Sequence, residues 1–355
     1  MLKTLIRSAV AAVLLSGVTL GTAAAEDKPT FRIAWSIYAG WMPWDYMETS
    51  GIMDKWADRY DINVEIVQVN DYIESINQYT AGQFDGVTAT SMDSLSIPAA
   101  GGVDSTAVIV GDYSNGNDGI VLKGSDKLEA IEGRDVHLVK LSVSHYLLAR
   151  ALDRIGLSEK DVNVISISDA DLVSAFKTED VRAVATWNPL LSDVRSQPDA
   201  HEVFDSSQIP GHIKDLLIVK TKTLNKHPEL GKALTGAWYE MVSKMMGDDK
   251  QGREIRKKLG EASGTDRAGY EMQLAGMKFF EQPQTAVDFI SSDQAFEAMD
   301  SVRKFSFRKG LLGEAAPSAD FVGIKFPDGR VLGRESNINL RFTTKYMQMA
   351  ADDEL

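Results

Sequence analysis

Short apolar runs alternate with amphipathic segments along most of this chain. Residues 31–35, 64–69 and 86–89 are compact apolar or β-branched runs that predict strands, and apolar spacing over 44–59 and 71–81 predicts helices between them. Another helix opens at Ser91, so the first part of the chain reads as a βαβαβ half. A strand over 103–110 then enters a Gly-, Asn- and Asp-rich loop, 111–119, before a short strand at 120–122. The alternation restarts with strands at 135–140, 162–167 and 181–186 and helices at 144–155 and 172–176. Residues 216–220 read as a return strand, 225–307 are mostly amphipathic helix, and Pro327-Asp328-Gly329-Arg330 marks a hairpin. The pattern predicts an α/β protein of two α/β lobes with a mostly helical C-terminal region.

Lys3 and Arg7, an apolar run over 8–20 and Ala23-Ala24-Ala25 before Glu26 fit a secretory leader, so residues 1–25 are expected to be a signal peptide removed on export. The leader's run is too short to span a bilayer, and no later stretch reaches about eighteen apolar residues. No cysteine occurs, which excludes a lipid-modified cleavage site, disulfides and thiol chemistry. The expected location is the periplasm, free in solution, neither a lipoprotein nor inserted in the membrane. About 330 mature residues exceed what one core usually serves. Lobe 1 is assigned to 26–116 plus 217–355, and lobe 2 to 117–216. Loss of Lys3 and Arg7 takes the formal charge from -13 to -15, which argues against nucleic acid or an anionic membrane as partner.

In open α/β sheets ligands lie beyond the carboxyl ends of the strands. The residues there are Ser36, Tyr38, Trp41 and Trp44; Thr90, Ser91 and Asp93; Asp112, Tyr113, Asn115 and Asp118; Ser144; and Trp187 with Asn188. Tyr38, Trp41 and Trp44 share one loop with Gly40 and Pro43, and either wall a ligand cleft or roof their own strand. Asp93 serves a helix first turn capped by Ser91, a ligand, or both. Asp112 and Asp118 are turn residues of which at least one is expected to face the cleft. Trp187 is placed to sandwich a planar ligand with Trp41 or Trp44, and Ser144 to cap its helix, where backbone N–H groups also suit a ligand oxygen. None of these loops contains Lys or Arg. A site selecting phosphate or sulfonate commonly presents one, so a neutral or cationic ligand is expected.

Signals for catalysis are missing. There is no HExxH, GxSxG, Walker loop or GxGxxG, and the five histidines are scattered without metal-ligand spacing. Residues 112–123 mimic a calcium loop, but Lys123 stands where a bidentate Glu is needed. No cofactor, no metal and no catalytic residue are assigned.

Taken together, the leader, the strand-loop-Trp start, Gln83-Phe84-Asp85-Gly86-Val87, the crossing loop, Ala185-Thr186-Trp187-Asn188-Pro189 and the helical tail after Lys226-His227-Pro228-Glu229-Leu230 resemble the nitrate/sulfonate/taurine class of periplasmic substrate-binding proteins of ABC importers. The segments 35–44 and 89–93 look like the branch found beside urea carboxylase genes, a neighbourhood tied to guanidine metabolism. This resemblance implies a type II periplasmic binding protein fold with a two-segment hinge, near 115–119 and 210–216, that closes on a small molecule. It also implies an inner-membrane permease and ATPase as partners. A small planar nitrogen compound is the implied ligand; the missing basic residues favour guanidinium over nitrate or taurine, with urea or a substituted guanidine as the alternative and a sulfonate- or nitrate-type anion behind it. Delivery of the ligand signal to a chemoreceptor is the alternative use. An enzyme of the same superfamily, a thiamine-pyrimidine synthase, depends on a cysteine-rich motif that this chain lacks.

Overall fold

The computed structural model describes residues 28–355, so the predicted signal peptide lies outside the described residues. Strand Thr30–Trp35 alternates exposed and buried positions at its start and buries its last three residues, the pattern of a strand entering the middle of a covered sheet. It pairs in parallel with Asn63–Gln68 on one side and Gly86–Thr90 on the other. The return strand Lys214–Lys220 joins this sheet antiparallel to Gly86–Thr90 and to Ser105–Ser114, and the C-terminal strands Gly323–Lys325, Val331–Leu332 and Ile338–Phe342 complete one flank. A second sheet holds Asn163–Ser166, Asp135–Leu138, Ala183–Trp187, Asp118–Lys123 and Ala200–Asp205, in that spatial order.

The chain passes between the sheets twice, at 115–117 and at 206–213. The predicted nine-residue loop is therefore only a three-residue crossing. Residues Asp112 and Tyr113 stay in the sheet because Asp215 and Lys214 pair with them on one side and Phe279 and Lys278 on the other. For the same reason the return strand begins at Lys214, earlier than its apolar run suggests. Ala200–Asp205, whose mixed exposure hides it in the sequence, forms an edge strand beside Asp118–Lys123. The helix predicted over 44–59 is two helices, Pro43–Thr49 and Ile52–Arg59, split where Gly51 adopts φ +74°, a conformation glycine reaches without steric cost.

The long helix Pro228–Met246 buries one face under the first sheet, and Gly236 lets the Trp56 ring lie directly on its backbone. Helix Asp293–Arg308 reaches the other lobe. Phe305 packs edge-on to Tyr146 at 4.9 Å, Lys309 pairs with Glu159, and Gln294 donates to the Pro210 carbonyl at 3.3 Å. Among the described residues no helix is long and apolar enough to cross a membrane.

Candidate functional site

Strand ends from both sheets converge on one small cavity between the sheets. Tyr38 and Trp41 reach it from the loop after the first strand, Tyr72 from the start of helix Tyr72–Thr80, and Thr90 from the end of Gly86–Thr90. The second sheet contributes Asp118 and Trp187, the start of helix Val143–Arg154 contributes Val143, the second crossing Ile213 and the return strand Asp215. Its volume is about 20 Å³, room for one or two water molecules. Its aromatic wall is continuous. Tyr38 meets Trp41 edge-on at 5.2 Å, Trp41 meets Tyr72 at 5.5 Å, and Tyr72 meets Trp187 edge-on at 5.7 Å, so the last contact ties the two lobes together. The Ala39 N–H donates across the same seam to the Asn188 carbonyl at 3.3 Å.

Asp93, Asp112, Asp118 and Asp215 surround this cavity, all buried, and none makes an ion pair among the described residues. Asp93 accepts on one oxygen from the Tyr72 hydroxyl at 2.7 Å and the Thr90 hydroxyl at 2.9 Å. Thr90, rather than the predicted Ser91, caps the following turn, accepting from the Asp93 N–H at 3.2 Å. The Tyr38 hydroxyl donates to Asp112 at 3.5 Å. Burial raises every one of these carboxyls, because charge is costly to hold away from water. Asp93 rises to about 6 despite its two hydroxyl donors. Asp118 rises to about 7, through burial and the Asp93 charge, against a bond from Ser114. Asp112 rises to about 7, through burial and the Asp118 charge, and Asp215 rises further, through burial and the charges of Asp112 and Asp118.

Several buried polar atoms at the strand ends have no partner: Asp93 Oδ1, Asp112 Oδ2, Asp215 Oδ2 and the hydroxyls of Ser36, Ser91, Ser144 and Thr186. Unmet buried groups cost about 1–3 kcal/mol each; of these residues Asp215 lines the cavity, and Asp93 and Asp112 accept from Tyr72, Thr90 and Tyr38, which line it. An ionised carboxylate only accepts, while the hydroxyls and any carboxyl that keeps its proton can also donate, so the ionised carboxylates call for a ligand that donates.

The structure brings Tyr38, Trp41, Thr90, Asp118 and Trp187 to the wall, with Asp93 and Asp112 bonded directly behind it. Trp44 is not there. Its ring stacks on Trp238 at 5.4 Å, since opening a helix at Pro43 turns it toward the long helix. Tyr113 points the other way, onto Phe280 and Phe289, and Asn115 is exposed, its N–H held by the Gly276 carbonyl. Asn188 is occupied by Asn117 and Ser192. Ser142, not Ser144, caps helix Val143–Arg154, and Val143 fills the wall position. Sequence reasoning missed Tyr72, Val143, Ile213 and Asp215. Lys214 is fully buried yet absent from the wall, because a strand alternates faces. Its ammonium donates to the Gly211 carbonyl at 2.9 Å, and burial lowers its pKa to about 7. Among the described residues no group of three or more His, Cys, Asp or Glu is arranged to hold a metal ion.

With this geometry in place, the chain was compared with known proteins. A family model described as NMT1/THI5 like matches residues 56–251. The taurine-binding periplasmic protein of Escherichia coli (strain K12) is 25% identical over 117 residues, which are 32% of this chain and 36% of that protein. The match thus spans about a third of that relative's length. Among solved structures, the alkanesulfonate-binding protein SsuA from Xanthomonas axonopodis pv. citri, bound to MOPS, superimposes with a TM-score of 0.67 at 18% identity over 82% of this chain and 96% of its own. The periplasmic nitrate-binding protein NrtA from Synechocystis PCC 6803 gives 0.56 at 11% identity over 93% and 99%. These likenesses establish the periplasmic binding protein fold.

Proposed function

The chain belongs to the NMT1/THI5-like family, and from that premise we propose that it is the extracytoplasmic solute-binding component of an ABC importer whose ligand is a small flat cation, guanidinium being the best fit. It captures the ligand between its lobes and hands it to a membrane permease served by a separate ATPase. The observation that carries this reading is a small aromatic-walled cavity whose ionisable neighbours are carboxyl groups without an ionic partner. Guanidinium presents N–H donors in one plane, which carboxylates Asp93, Asp118 and Asp215 accept, and its faces lie against Trp41 or Trp187, where a desolvated cation–π contact contributes about 2 kcal/mol. Urea lacks the charge, and leaves carboxylates buried without compensation.

A sulfonate or nitrate is what the relatives' names suggest for this family. In this cavity such an anion meets carboxylates and acceptor oxygens, a repulsion of about 4 kcal/mol per pair at close range if the local dielectric constant is about 20. A thermal-shift and calorimetric screen of guanidinium, methylguanidine, urea, taurine, nitrate and bicarbonate tests the proposal. Guanidinium is expected to give the largest rise in melting temperature. A rise with taurine or nitrate and none with guanidinium overturns it.

A further inference from the structure

Asp112 and Asp215 stand opposite each other in the antiparallel pairing of Ser105–Ser114 with Lys214–Lys220, where both strands leave the first sheet. Each is buried, and each has an Oδ2 with no donor elsewhere in the described protein. The groups that face them supply no positive charge. Tyr38 donates to Asp112, Asp118 and Asp93 add negative charge nearby, and Tyr270 spends its hydroxyl proton on the Ala39 carbonyl at 3.0 Å. Lys214 faces away and His212 is bonded to Tyr146 at 2.6 Å. The backbone also closes over the pair, since a Cβ at Gly40 would lie 2.7 Å from Asp112 Oδ2. Two carboxyl groups in such a place hold together by sharing a proton, as one donates and the other accepts.

Resting on the cation reading above, we infer that Asp112 and Asp215 share one proton in the empty closed site and release it to solvent when the ligand enters, so that capture exchanges a proton for a cation. The balance is simple. One carboxyl and one carboxylate become two carboxylates plus a monocation, so the buried site carries the same net charge before and after, and the O–H bond broken delivers its proton to water. No uncompensated buried charge is created at either end, which is the costly alternative. A neutral ligand such as urea has no charge to trade and leaves the proton in place. Burial holds both groups upward, with the Asp118 charge adding to Asp112 and the Asp112 and Asp118 charges adding to Asp215, so the pair keeps a proton at neutral pH.

The test is calorimetry of guanidinium chloride binding to the mature chain in phosphate and in Tris at matched pH, the difference in heat counting protons released. About one proton is expected near neutral pH, with affinity rising about tenfold per pH unit wherever one proton is released. Asp215→Asn is expected to lower the count by about one, and Asp112→Asn to do the same should the first variant fail to fold. Heat that is equal in both buffers throughout overturns the exchange while leaving the cation reading intact, as does a proton count unchanged in the Asn variants. Absence of both heat and thermal shift with guanidinium overturns the reading itself. Proton release with urea equal to that with guanidinium also overturns the exchange.

Discussion

Replacing Asp118 by Asn removes a charge that the closed, empty protein holds at a penalty, and the size of that penalty follows from the site. Its carboxyl lies at about 7 against an ordinary 3.8, chiefly through burial. At about 1.4 kcal/mol per pH unit, the gap corresponds to on the order of 4 kcal/mol once the group is ionised. For a carboxyl raised in the folded state, the favourable contribution is present below the ordinary value and is lost as pH rises through about 7. Above that pH the wild-type protein is expected to bear the penalty as reduced stability or to relieve it by opening its lobes. An amide keeps the acceptor for Ser114 and carries no charge. Near pH 8, Asp118→Asn should therefore favour the closed form without ligand, by up to roughly a thousandfold, and raise the melting temperature by several degrees, with little change near pH 4. Small-angle scattering of the ligand-free protein reads the first effect as a smaller radius of gyration, and thermal melts read the second. Guanidinium affinity should fall at the same time. A variant that is as open and as stable as the wild type at pH 8, or less stable than it, refutes the reasoning.

Trp187→Ala is expected to weaken guanidinium at least tenfold through the lost aromatic face, with Trp41→Ala similar. Trp44→Ala should instead cost about 3–5 kcal/mol of stability and leave the affinity of the folded protein near wild type, which thermal melts and calorimetry separate. Asp93→Asn should weaken guanidinium far more than urea, so equal calorimetric losses for both ligands contradict its role. Glu159 is held down to about 2 because His145 and Lys309 outweigh its burial, and Lys309 comes from the opposite lobe. Lys309→Ala should raise the ligand Kd about fivefold at low salt and less at high salt; an unchanged Kd at low salt would dismiss this pair as a latch.

Much of the fold was legible because its cause is local. Strand Thr30–Trp35, helix Tyr72–Thr80 with Asp71 as its cap, and the second α/β run all follow from periodicity and capping chemistry that a short window contains. The crossing was misread because Asp, Asn and Gly usually signal turns, whereas Asp112 stays in a strand through pairing with Asp215, far away in sequence. The candidate site divides along the same line. Trp41 and Asp93 follow strands and Trp187 ends one, so the strand-end rule found them, while Asp118 opens a strand and was found as a residue of the predicted crossing loop. Asp215 precedes its apolar run, and only its place opposite Asp112 draws notice to it. Tyr72 belongs to a helix start, where an aromatic reads as core. Trp44 and Trp41 are equivalent in the sequence, and it is Trp238 that draws one of them inward.

Asp112 and Asp215 sit at the strand ends where both crossings leave the first sheet, so on the proton-exchange proposal the axle of the molecule would also be its detector. On that proposal a charge arriving beside them would change the force at the root of both crossings, and no relay of side chains would be needed to carry the message outward. Tuning among flat cations would then be a matter of repainting the aromatic walls. Conversion to an anion carrier would demand a new axle.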